Sequence, residues 1–176
     1  HSFPTRRSSD LFLRGGCALC RGRGERVEPL AGPGALHLVL LVPPFACPTP
    51  AVYSRFHAED SSRKEKFDAS LAMMSAPDED PREWLFNDLE PAARRAVPAL
   101  DAFLASLEER GIEDLRISGS GSTLFRAFRR AGEAERFAAE ARGVLERSEA
   151  AVLAARAVGP DGGMTAEAGG ACRGDI

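Results

Sequence analysis

With 176 residues, 44% of them apolar, the chain is the size of one ordinary domain and carries enough hydrophobic side chain for a core. Its net charge of −3 comes from 23 basic residues interspersed among 26 acidic ones, so no one-sign stripe points to a nucleic acid or a membrane as partner. The apolar run LHLVLLVPPF is far too short to span a bilayer and no charged-then-apolar leader opens the chain, so the expected compartment is the cytosol. Residues 1–11, HSFPTRRSSDL, have no apolar period and can be back-translated without mismatch into a common short-read sequencing adapter. They are read as an artefact and set apart from fold reasoning, so the natural chain is expected to begin near Phe12, inside a strand.

From there FLRGGCALC and ERVEPL flank a Gly and Arg turn and predict a hairpin. Cys17 and Cys20 form a CxxC, but no second ligand pair accompanies it, and residues three apart in a strand point to opposite faces. Thiols rather than a metal site are expected. ALHLVLLVP reads as a buried strand that the prolines at 43, 44, 48 and 50 terminate. A short helix follows, with Thr49 as N-cap and Pro50 at the first helical position. Residues 57–82 are charged and predict a surface loop with one helical stretch, Lys64 and Lys66 included.

Leu89, Ala93, Val97, Leu100, Leu104 and Leu107 recur at helical spacing, Pro98 predicts a kink or break, and Gly111 a stop. DLRIS and TLFRAF read as two strands around SGSGS, AGEAERFAAEARGVLER as an amphipathic helix, and AAVLAARAV as a strand or helix. The segment 159–176 is Gly-rich, lacks periodicity, and is expected to be disordered. This order predicts an α+β fold, a mainly antiparallel sheet, ferredoxin-like in build, with helices on one face. The glycine turn has two readings: a plain hairpin connection, or a concave anion nest of bare amides with the hydroxyls of Ser118, Ser120, Ser122 and Thr123. It is neither a Walker loop nor GxGxxG.

Four stretches in this order, FLRGGCALCRGRGERVEPL, PTPAVYSRF, FNDLEPAA and ISGSGSTLFRAF, resemble the carboxy-terminal part of the 4-diphosphocytidyl-2-C-methyl-D-erythritol kinases, small-molecule kinases of the GHMP superfamily. The resemblance runs from Phe12 to about Val158 and implies a GHMP carboxy-terminal domain over 12–158, with the amino-terminal lobe missing. It implies an ATP-dependent enzyme, working with Mg2+, that phosphorylates the 2-hydroxyl of a cytidine diphosphate-linked methylerythritol in the non-mevalonate route to isoprenoids. By the same resemblance Thr49 and Tyr53 hold the cytosine, while Ser118, Gly119, Ser120 and Gly121 support the phosphate loop. Asn87, Asp88 and Glu90 match the family's NDLE and are expected as helix-start caps and structural contacts.

The departures bear on activity. Counted back from Leu13, the family's catalytic Asp of DVPFFL falls at Ser8, and Asp10 is out of register. The catalytic Lys and the PxxxGLGGGSS phosphate loop have no counterpart in this sequence. Phosphoryl transfer depends on positioning and charge neutralisation, so no catalytic residue is assigned, tight ATP binding is not expected, and the polypeptide alone is expected to be inert. Apolar surface left bare by the missing lobe predicts self-association. The alternative is a stand-alone, non-catalytic α+β ligand-binding or interaction domain. A homoserine or mevalonate specificity is disfavoured by PTPAVY.

Overall fold

The computed structural model describes residues 17–22, 26–62, 64–74, 76, 78–157 and 165–167. The expectations for residues 1–11, and for most of 159–176, therefore lie outside the described residues. The predicted hairpin is present: β1 (Cys17–Arg21) pairs antiparallel with β2 (Arg26–Leu30), Cys17 opposite Leu30 and Arg21 opposite Arg26. It forms a two-stranded sheet of its own.

The main sheet is built around β3 (Leu36–Val42), the apolar run of the sequence. Apolar on both faces, this strand needs neighbours on both edges as well, and it has them: β5 (Leu124–Phe128) on one side and β6 (Ala151–Ala157) on the other, both antiparallel. β4 (Arg116–Ile117) extends the β5 edge and β7 (Thr165–Glu167) the β6 edge, giving the order β4-β5-β3-β6-β7. Leu41 faces Leu124 and Val152 across the ladders, and these side chains with Val39 form the buried face.

Three outcomes refine the sequence reading. The AAVLAARAV segment is a strand, because its full length pairs with β3 from Leu36 opposite Ala157 to Val42 opposite Ala151. DLRIS contributes only Arg116 and Ile117, since Asp114 turns the chain with φ 58 just before them. Thr165–Glu167, within the segment expected to be disordered, form β7 on the outer edge of β6, whose backbone groups would otherwise lack ladder partners.

Six helices accompany the sheet among the described residues: α1 (Thr49–Ser54), α2 (Lys64–Met74), α3 (Pro81–Trp84), α4 (Glu90–Ala96), α5 (Pro98–Glu108) and α6 (Ala131–Leu145). Leu100, Leu104 and Leu107 of α5 and Phe137, Ala138, Ala141 and Leu145 of α6 join Val39, Leu41 and Leu124 in one core. Phe128 and Phe137 pack with their rings tilted by 49° and their centroids 5.4 Å apart. The break at Pro98 occurs as expected: α4 ends at Ala96 and Val97 takes φ −132, ψ 86 before α5 begins. Gly111 ends the run at φ +80, its N–H donating to the Glu108 carbonyl at 3.0 Å while Ile112 donates to Leu107 at 2.9 Å, the paired bonds of a Schellman stop. No helix among the described residues is long and apolar enough to cross a membrane.

Two carboxyls tie surface segments and make stability pH-dependent. Asp80 caps α3, accepting from the Arg82 amide at 2.9 Å, and the hydrogen bond from the Arg82 side chain holds its carboxyl below the ordinary 3.8. Asp60 is lowered in the same sense, chiefly by the hydrogen bond from the Arg95 side chain. A carboxyl whose pKa is lower folded than unfolded stabilises the fold above its unfolded value and loses that contribution as the pH falls through the folded one. The urea midpoint is therefore expected to drop between about pH 5 and about pH 3. Asp80→Asn should flatten that decline, and an unaltered slope would refute the assignment.

Candidate functional site

The residues 118–123 that join β4 to β5 make a hairpin connection, so that reading of the glycine turn holds in form. Ser118 donates its N–H to the Thr123 carbonyl and Gly121 donates to the Ser118 carbonyl, both at 2.9 Å. Two of the amides a nest would offer are thus committed within the turn. Both glycines take left-handed backbone, Gly119 at φ 57 and Gly121 at φ 90.

The segment leaving β3 runs alongside this turn and touches it three times. Ser122 Oγ donates to the Phe45 carbonyl at 2.6 Å. Gly121 packs so closely on Cys47 that an added Cβ would lie 3.1 Å from its Sγ and 3.3 Å from Ile117 Cγ2. Thr49 Oγ1 and Ser120 Oγ share a hydrogen bond of 2.8 Å. Two residues predicted for different ends of a ligand are therefore in direct contact, although 71 positions separate them.

Thr49 is not the N-cap of α1. Pro48 occupies that position, with Thr49 and Pro50 as the first two helical residues, which frees the Thr49 hydroxyl for Ser120. Tyr53 lies one turn further on the same helix, and residues four apart share a face. Tyr53 is 60% exposed rather than packed on the core, where Val52 from the same helix is buried. An aromatic so placed is available to a ligand, beside the turn that Thr49 engages.

Asn87, expected as a helix-start contact, does more. Its Nδ2 donates to the carbonyls of Ile117 and Gly119 at 2.7 and 2.8 Å, while its Oδ1 accepts from the Leu89 amide at 3.0 Å. It thus holds the glycine turn from below the start of α4. The match to NDLE marked this residue, but nothing local in the sequence reveals partners 30 and 32 positions away. The two acids of the motif do not cap: Asp88 makes a structural contact, accepting from the amide and hydroxyl of Ser62 at 2.8 and 2.5 Å, and Glu90 begins the first turn of α4, whose N-cap is Leu89 with no side-chain cap bond. A cleft of about 680 Å³ opens beside Asn87, lined also by Lys66, Phe86, Glu90 and Arg116. Lys66 lies over the Phe86 ring at 4.8 Å, and Lys64 pairs with Asp68 on α2.

The CxxC gathers no metal set: among the described residues no three His, Cys, Asp or Glu side chains are grouped for one. Cys17 is half-buried with its Sγ 3.7 Å from Met74 Sδ, and burial raises its pKa, while Cys20 is exposed.

Residues 71–147 match the family model described as GHMP kinases C terminal. A 4-diphosphocytidyl-2-C-methyl-D-erythritol kinase from Dinoroseobacter shibae is 36% identical over 131 residues, which are 71% of this chain and 44% of that protein. The kinase of the same name from Thermus thermophilus is 36% identical over 115 residues, 65% of this chain and 40% of that protein. The chain spans less than half the length of these curated relatives. Among solved structures, a 4-(cytidine 5'-diphospho)-2C-methyl-D-erythritol kinase superposes with a TM-score of 0.55 at 29% identity, covering 81% of this chain and 50% of that one. A homoserine kinase from Cytophaga hutchinsonii gives a TM-score of 0.62 at 16% identity over 90% of this chain and 53% of that one, a likeness of fold alone.

Proposed function

We propose that this chain, which matches the GHMP kinases C terminal model over residues 71–147, is part of an ATP-dependent kinase whose acceptor is a cytidine diphosphate-linked methylerythritol. In this reading Tyr53 stacks on the cytosine, and the turn of Ser118, Gly119, Ser120 and Gly121 shapes the phosphate side of the site. The reaction is transfer of the ATP γ-phosphate to the 2-hydroxyl of the acceptor. The observation that carries the reading is the hydrogen bond between Thr49 and Ser120, which joins the helix bearing Tyr53 to the glycine turn. A base-binding ring and a phosphate-side loop belong together in one site only if something holds them adjacent.

The described residues gather no acidic cluster for the Mg2+ that accompanies ATP. What this chain supplies is shape: an exposed phenol, a hydroxyl pair and a turn with two left-handed glycines. The sequence holds neither the PxxxGLGGGSS loop nor a counterpart of the catalytic Lys, and we expect no ATP turnover above background from this polypeptide.

Cytidine diphosphate should raise the melting temperature of the protein. Tyr53→Ala should weaken that binding about tenfold, as loss of a single stacked base does elsewhere. The free protein should melt unchanged, because Tyr53 is exposed. No stabilisation by cytidine diphosphate, or full affinity in the Tyr53 variant, would overturn the placement of the cytosine. Steady ATP hydrolysis that rises with an added acceptor would overturn the inertness.

A further inference from the structure

We propose that a phosphate-binding site, separate from the glycine turn, lies in the cleft between α6 and strands β3 and β6. The cleft measures about 400 Å³, within the range of small-molecule sites. Ala134 and Ala138 of α6 and Ala154 and Ala155 of β6 line it, and their methyl groups leave unfilled the room that larger side chains would take. Three basic side chains from three elements share the lining: His37 of β3, Arg142 of α6 and Arg156 of β6. Glu135 of α6 is the one acid among the lining residues.

What distinguishes this cluster is that its basic side chains are uncommitted. Among the described residues, the side chains of His37, Arg142 and Arg156 have no hydrogen-bond or ion-pair partner. The other arginine-rich cleft, around Arg82, Arg126 and Arg129, is different. There Arg82 pairs with Asp80 and Asp114, Arg126 with Asp114 at 3.5 Å, and Arg129 donates to the carbonyls of Pro33, Ala76 and Glu79. In the α6 cleft, moreover, His37 stands directly opposite Arg156 in the β3–β6 ladder. An imidazole and a guanidinium in cross-strand register gain nothing from each other, and an anion between them satisfies both.

The site is remote from the glycine turn. His37 pairs with Phe128 at one end of the β3–β5 ladder and Leu41 with Leu124 at the end where the turn begins, about 13 Å away along the strand. The chemistry it fits is a phosphate group: guanidinium forks bind its oxygens in pairs, and the alanine-lined space accommodates a small organic remainder.

Calorimetric titration of the full chain with inorganic phosphate and with glycerol phosphate, at low ionic strength, tests the proposal. Saturable one-to-one binding is expected, with the ester the tighter of the two if the alanine space is used and free phosphate equal to it if not. Arg142→Gln and Arg156→Gln should each weaken binding about tenfold, the scale of a lost charge-assisted hydrogen bond. Glu135→Gln should tighten it about threefold by removing the opposing charge, an effect that misfolding cannot mimic. Arg130→Gln, on an exposed arginine that pairs with Glu133 outside this cleft, should leave it unaltered. No saturable binding of either probe, or equal weakening by Arg130→Gln, would overturn the site.

Discussion

Gly121→Ala is expected to destabilise this protein by about 2–4 kcal/mol, while the same change at Gly119 costs about 1 kcal/mol. Both glycines have positive φ, so both substitutions carry the backbone strain of an L-residue in left-handed space. Only Gly121 adds a steric term: its new methyl would meet Cys47 Sγ at 3.1 Å and Ile117 Cγ2 at 3.3 Å, whereas a Cβ at Gly119 meets nothing within 4 Å. Cys47 and Ile117 are themselves buried, so neither can swing aside into solvent. Against a typical total of about 5–15 kcal/mol, the Gly121 change removes a large share of the stability. Urea unfolding of the two variants side by side is the measurement. Equal losses would mean that strain alone, and not the approach of the Phe45–Thr49 segment, accounts for the glycine at 121.

The second large effect is expected at Asn87. Asn87→Leu removes two donors from the Ile117 and Gly119 carbonyls and one acceptor from the Leu89 amide. With hydrogen bonds worth about 1 kcal/mol each and a further penalty for a carbonyl left without a partner, the loss should be about 2–3 kcal/mol. Asn87→Asp separates the two jobs of the side chain, because a carboxylate keeps the bond to Leu89 but cannot donate to either carbonyl. If the clamp on the turn matters most, Asp is as damaging as Leu, and amide exchange at Ser118 and Gly121 quickens in both variants. If Asp is tolerated, Asn87 serves only the start of α4 and the clamp is incidental.

These two residues show where the sequence was legible and where it was not. The glycines announced a special backbone, since a run of SGSGS between two apolar segments has few other uses. Which glycine is sterically required was not legible, because the obstructing atoms belong to Cys47, far away in the chain. Only the resemblance marks Asn87, and its local setting suggests a cap. Thr49 was misplaced for the same reason: a Thr before Pro at a helix start is a good N-cap in isolation, and only the approach of Ser120 gives its hydroxyl a better partner.

By itself the sequence determined the β1–β2 hairpin, the buried strand β3, the helical runs of α5 and α6, the break at Pro98, the stop at Gly111, and the kinase resemblance, because each of these is written in contiguous residues whose periodicity or order needs no partner to be read. The tertiary structure alone decided that β6 is a strand, that Thr49 meets Ser120, that Asn87 grips the turn, and that three uncommitted basic groups converge beside α6. Each of those outcomes depends on atoms brought together across distant segments. Such contacts form only once the core has closed over Val39, Leu41 and Leu124, and no local pattern encodes which surfaces that closure will bring face to face.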